Sequence, residues 1–325
     1  MNLYPLKFKT IFKEKIWGGN KIKTVLNKDF APLENCGETW ELSAVQGELS
    51  IVENGFLAGN NIQELIEIYM GDLIGDKIYE KFGIEFPLLI KFIDANDDLS
   101  IQVHPDDKLA EKRHKAYGKT EMWYILQAEK NAEITIGFKN DITEDIYLEH
   151  LRNNTLTDIL NIEKSNKGDV FYIPAGRVHA IGKGNLLCEI QQTSDITYRI
   201  FDWNRKDKNG ETRELHTKLA VEAIDYNTYD NYKIKYDKKQ NSSNNIITCN
   251  YFTTNFIPLN AKITKDYYDI DSFVIYICID GNFKLKYNDT DNITINKGDV
   301  YLIPAEIKSL ELTPLQDAKI LEVYI

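Results

Sequence analysis

The chain has 325 residues, 43% of them hydrophobic and 27% charged, with a formal charge of −11 from 50 acidic and 39 basic residues. This is the composition of a globular protein with two domains or one elaborated one. The acidic balance argues against a nucleic-acid surface but not against a small anionic substrate, which needs only a few local cations.

No run of about 18 apolar residues is present, so no membrane partner is expected. Lysines interrupt the apolar residues of the opening stretch MNLYPLKFKTIFKEKIWGG, where a signal peptide would be uninterrupted. The cytoplasm is the expected location. Cys36, Cys188, Cys249 and Cys278 form no CxxC pair and are expected to be reduced and partly buried.

In chain order, residues 61–71 read as a helix: Ile62, Leu65, Ile66 and Tyr69 keep helical spacing, and Asn60 or Asn61 can cap it. A second helix is expected over 76–82, ended by Gly83. Strands are expected over 87–94 and 99–104. In the latter, Leu99, Ile101 and Val103 alternate with Ser100, Gln102 and His104, as in a half-buried strand. Further strands are expected at 121–126 and 133–138. A helix over 143–160 should break near Asn153 and Asn154, and strands should follow at 169–173 and 186–192. Short strands punctuated by Gly, Asn and Asp suggest a sandwich or jelly-roll barrel.

Residues 167–175, KGDVFYIPA, recur at 297–305 as KGDVYLIPA, identical at seven of nine positions. Such a repeat implies two related β-barrels in tandem. The polar stretch KIKYDKKQNSSNN at 233–245 is the best linker candidate. The expected division is a catalytic domain over 1–235, a linker over 236–246 and a second barrel over 247–325.

Gln102 and His104 lie two apart on one strand, so their side chains leave the same face about 7 Å apart. A curved barrel wall can angle them onto one ion. Glu121 and His179, at the edges of two other strand candidates, would complete a set of two imidazoles and two oxygens. That set suits zinc or another first-row divalent ion. His114, His150 and His216 lie in helical or polar surroundings without matching partners.

The segments LSIQVHPDD at 99–107, GKTEMWY at 118–124 and IPAGRVHA at 173–180 resemble, in this order, the metal-site motifs of type I mannose-6-phosphate isomerases. IWGG at 16–19 and GETWELS at 37–43 resemble the N-terminal blocks of that family. QQTSDITYRIFDWNR at 191–205 resembles its downstream active-site block in short bacterial members.

The resemblance implies a mainly β protein of tandem cupin (jelly-roll) barrels with helical insertions in the N-terminal half. It carries the family's ligands onto Gln102, His104, Glu121 and His179, with one divalent ion per chain, zinc being the expected one. Its catalytic residues carry over onto Arg199, with Lys119 and Asp195 as site neighbours. The implied reaction interconverts mannose 6-phosphate and fructose 6-phosphate through an enediolate. A displacement of 130 residues sets Ser309 opposite His179, and no histidine follows His216. The second barrel is therefore expected to lack the ligand set.

Several assignments stay open from sequence. Lys119, Glu121, Asp195 and His104 are all candidates for the base. Arg199 can stabilise an enediolate, clamp a phosphate or make a structural ion pair. Trp17 and Trp40 can wall a sugar site or simply pack in the core, and Asp202, Arg205 and Lys206 read as a solvated turn. A cupin oxygenase, marked by oxygen consumption, and a non-catalytic sugar-binding cupin are the competing functions; the quartet argues against the second.

Overall fold

A computed structural model describes residues 3–206, 210–288 and 291–325, and the chain in it is mainly β. Two sheets form the first barrel. A six-stranded sheet orders Ile11–Lys13, Glu38–Leu42, Leu88–Asp94, Asn185–Gln192, Glu121–Ala128 and Val170–Ile173. A five-stranded sheet orders Tyr198–Phe201, Ile101–Val103, His179–Ile181, Glu133–Phe138 and Leu160–Lys164. The second barrel has its own six-stranded and four-stranded sheets, built mostly from residues after 243. No helix among the described residues is long and apolar enough to cross a membrane.

The repeat is structural as well as textual. Gly168 and Gly298 take φ of 88° and 89°, which a side chain would oppose. Each donates its N–H at 2.8 Å to the neighbouring strand, Gly168 to Ile125 and Gly298 to Cys278. Asp169 and Asp299 then close the same turn, each accepting through Oδ2 from the N–H of Asn166 or Asn296 at 2.9 and 2.8 Å. His179 and Ser309 each begin the strand that follows the Pro-Ala turn.

The two barrels share apolar packing. Leu6–Lys7, near the start of the chain, pairs with Val300–Ile303 in the second barrel's sheet. One core cluster joins Leu6, Ile62, Leu73 and Ile90 to Phe252, Phe273, Ile275 and Leu321. The polar stretch before the second barrel is tied to the first, for Lys233 bridges Phe171 and the Tyr236 hydroxyl donates to Gly168 O at 2.8 Å.

The helix expected over 61–71 extends over Ile62–Ile74, passing a break at Met70 (φ 44°). It starts with a capping box in which Asn61 and Glu64 each accept the other's backbone N–H. Asp76–Phe82 forms as expected. The 143–160 helix is Glu144–Arg152, then a turn with Asn154 at φ 56°, then a 3-10 turn over Leu156–Ile159. Leu160 belongs to the next strand. The helix Asp107–His114 was not expected, because it buries only Leu109 and Ala110 and so shows almost no apolar stripe. Asp106 caps it, accepting from the Leu109 N–H at 2.8 Å. All four cysteines are free, and Cys36, Cys188 and Cys278 are buried.

Candidate metal centre and active site

Both faces of the 99–104 segment are buried, which departs from the expected half-buried strand. Ile101 and Val103 are buried on one face in a cluster with Val178 and Ile200, whereas Leu99 packs with Trp17 and Ile181, and His104, on the other face, is also 1% exposed. That face looks across the lumen to the six-stranded sheet rather than to solvent. Cross-strand register places the candidate ligands: Gln102 pairs with His179 on one side and with Arg199 on the other. Residues paired this way share a face, so Arg199, Gln102 and His179 form one row across three strands. Glu121 comes from the opposing sheet and is fully buried.

His104, Glu121 and His179 each present a ligand atom, all within 4.8 Å of one another and all buried. The backbone sets both tautomers. His104 Nδ1–H donates to Ile196 O and His179 Nδ1–H to Arg177 O, each at 2.8 Å. Both Nε2 atoms are then bare acceptors, the state a metal ligand needs. Burial, then the Lys119 charge, pushes the His104 imidazolium down to about 3; burial likewise lowers that of His179. Glu121 is held well below the usual carboxylate range: burial opposes this, but Lys119 and His104 outweigh it.

His104 Nε2 and Glu121 Oε1 thus face each other at 2.9 Å as two acceptors. Neither makes a hydrogen bond among the described residues. Two lone pairs at that distance repel unless a cation lies between them, and Lys119 Nζ, 3.1 Å from the same Glu121 oxygen, meets only part of the need. Gln102 Nε2 lies 3.2 Å from His179 Nε2, and turning the amide over would present its oxygen in place of the nitrogen. The donor set fits a divalent ion with borderline ligands.

Beside this cluster opens a cavity of about 330 Å³, within the range of small-molecule sites. Gln102, Lys119, Asp195 and Arg199 all line it, as do Trp17 and Trp40. Arg199 Nη1 donates to Glu214 O at 2.8 Å, while its buried Nε has no hydrogen-bond partner among the described residues. Asp195 is exposed and also borders a second cavity.

Several cavity residues escaped sequence reading. Lys91 and Glu189, register partners on adjacent strands, are both buried and form an ion pair at 3.1 Å. Glu189 is pushed up to about 7, by burial and then by the Glu121 charge. Trp123 Nε1–H is shared between Glu121 Oε2 at 2.9 Å and Glu189 Oε2 at 2.7 Å, so one indole orients both carboxylates. Glu38 sits at about 2: burial raises it, but Lys91 and then Lys15 pull it down further. The available signal was a single charge inside each of two apolar strands, LLIKFID and NLLCEIQQ.

Asp202 corrects the solvated-turn reading. It is buried and accepts from Arg205 at 2.5 Å and from Arg213 Nε at 2.7 Å, and Arg213 itself lines the cavity. His216, which showed no matching partner in sequence, accepts from the Arg199 N–H at 3.2 Å. His114 meets the Tyr198 hydroxyl at 2.7 Å.

Residues 5–148 match the phosphomannose isomerase type I catalytic domain, and 242–324 match the mannose-6-phosphate isomerase cupin domain. Mannose-6-phosphate isomerase ManA of Bacillus subtilis is 42% identical over 232 residues, 69% of each chain. Mannose-6-phosphate isomerase of Streptococcus mutans is 38% identical over 68% of this chain and 67% of that one. The crystal structure of the mannose 6-phosphate isomerase from Bacillus subtilis shares the fold with a TM-score of 0.89 at 32% identity, covering 99% of this chain and 100% of that one. Ordered motifs, tandem barrels and near-complete structural coverage agree, and the chain belongs to the type I mannose-6-phosphate isomerase family.

Proposed function

We propose that this isomerase interconverts D-mannose 6-phosphate and D-fructose 6-phosphate in the cytoplasm, with one zinc ion held by Gln102, His104, Glu121 and His179. The observation that carries the reading is the pair of facing acceptors, His104 Nε2 and Glu121 Oε1, beside a cavity with cations on its wall. When bound, the ion supplies a Lewis acid for the oxygens at C1 and C2 of the sugar.

The protein's own groups have separate tasks. Arg199, in register with Gln102, stabilises charge developing on the sugar oxygens. Lys119 Nζ exchanges a proton with the same oxygens. Glu189, buried on the cavity wall between Lys91 and the Trp123 N–H, is the carboxyl placed to carry hydrogen between C2 and C1. Asp195 at the cavity rim accepts from sugar hydroxyls. We assign the chemistry to residues 1–235 and a supporting role to 247–325, with 236–246 between them; the supporting role follows from Ser309 standing where His179 stands in the first barrel.

The test is fructose 6-phosphate formation by purified protein, chelated and then reloaded with zinc. Activity should vanish and return, with about one ion per chain in the wild type and less in His104→Ala and His179→Ala. Mannose should be a poor substrate, since the remote phosphate helps position C1 and C2. Zinc-loaded protein that ignores mannose 6-phosphate, or consumes oxygen, would refute the proposal.

A further inference from the structure

Three consecutive backbone amides around Lys119 are each anchored outside their own strand. Gly118 N–H donates to Asp107 Oδ1 at 2.9 Å, Lys119 N–H to Pro105 O at 3.2 Å, and Thr120 N–H to Gln192 Oε1 at 2.9 Å. The anchors are themselves joined, because Gln192 Nε2 donates to the same Asp107 Oδ1 at 2.9 Å. Gly118 lies so close to this support that an added Cβ would stand 2.6 Å from Asp107 N. Lys119 and, two residues on, Glu121 are thus presented by a segment held from both sides.

The remaining Asp107 oxygen reaches into the other barrel. Oδ2 accepts from the Tyr251 hydroxyl at 2.8 Å. Tyr251 lies in the hairpin turn between Asn244–Thr248 and Thr253–Leu259, closed by Cys249 N–H donating to Phe252 O at 3.0 Å. A single carboxylate therefore collects three donors: a backbone amide beside Lys119, an amide side chain holding Thr120, and a phenol from the second barrel.

The geometry points to Tyr251 as a positioning residue for the reaction, acting through Asp107 on the segment that carries Lys119. This rests on the proposed role of Lys119. The second barrel then contributes to turnover without contacting the substrate. Charged acceptors hold donors more firmly than neutral ones, and small misplacements of a reacting group cost large factors in rate. Tyr251 orients Asp107, Asp107 fixes the Gly118 and Gln192 donors, and these fix the Lys119 backbone.

The experiment measures kcat and KM for mannose 6-phosphate per bound zinc, well below the melting temperature, in the full-length enzyme. Tyr251→Phe removes only the hydroxyl and should lower kcat about tenfold with KM within a factor of two. Asp107→Ala should lower kcat about a hundredfold, and Asp107→Asn should recover most of it. The asparagine oxygen still accepts from Gly118 and Gln192, while its amide can donate to the Tyr251 oxygen. Adding Tyr251→Phe to Asp107→Ala should cost nothing more, because the phenol acts only through that carboxylate. Wild-type kcat in Tyr251→Phe, or equal losses from it with and without Asp107, overturns the inference. A normally active Lys119→Met would overturn the role of Lys119 and this inference with it. An inactive Lys119→Met beside a fully active Tyr251→Phe overturns the inference alone.

Discussion

Replacing His104 by Gln isolates what it costs to keep a bare imidazole inside the barrel. The ring is buried, and its imidazolium is pushed down to about 3 from an ordinary 6.5, by burial first and by Lys119 second. In the unfolded chain the same ring takes a proton near 6.5, so acid stabilises the unfolded state before the folded one. Stability is full above about pH 6.5 and is lost as pH falls from there toward 3. At about 1.36 kcal/mol per unit, moving from pH 7.5 to 4.5 removes about 2.7 kcal/mol through this residue alone, nearly all of it below 6.5. That is a large part of an ordinary folding free energy of about 5–15 kcal/mol. The assay is urea unfolding of chelated protein, wild type and His104→Gln, at pH 7.5 and at pH 4.5. Carboxylates away from the ring contribute equally to both proteins, and repeating the pair on a Glu121→Gln background removes the one that His104 touches, so the difference in acid sensitivity reports the histidine. The wild type should lose about 2–3 kcal/mol more than the variant between these two conditions. Equal losses would mean that the ring is not held neutral, and the argument from two facing acceptors would lose its footing.

How much of this site was legible depended on whether the signal was local. The Asn61 cap and the Gly83 stop are written in neighbouring residues, and they fold where the sequence suggested. Gln102 and His104 were readable as a same-face pair, and the ordered motifs added Glu121 and His179; the fold brings His104, Glu121 and His179 within 4.8 Å of one another and sets Gln102 3.2 Å from His179. Lys91 and Glu189 were not readable, because their ion pair depends on the register between strands almost a hundred residues apart. Asp202 looked solvated because nothing local shows that Arg213 folds back onto it. The helix Asp107–His114 was hidden by its polar composition, and with it went the platform under Gly118.

Two further outcomes test the wall of the cavity and its support. Arg199→Ala should bind as much divalent metal as the wild type and keep its melting temperature while losing on the order of 10²–10³ in kcat, as expected for a charge acting on the transition state; a fully active variant would return Arg199 to a structural role. Gly118→Ala should instead reduce both stability and turnover. Its Cβ would lie 2.6 Å from Asp107 N and 2.7 Å from Asp106 C. Neither atom can yield cheaply, since both belong to the backbone that opens the capped helix Asp107–His114. The strain must move the Gly118 segment, weakening its bond to Asp107 Oδ1 and shifting Lys119. Overpacking of this kind costs about 1–3 kcal/mol, visible as a lower melting temperature in calorimetry. Because the shift falls on the residue before Lys119, kcat should drop in the zinc-loaded enzyme well below its melting temperature, while KM changes little. A variant that melts early but turns over normally would show that Lys119 tolerates a loose support, and that its backbone anchors serve the fold rather than the chemistry.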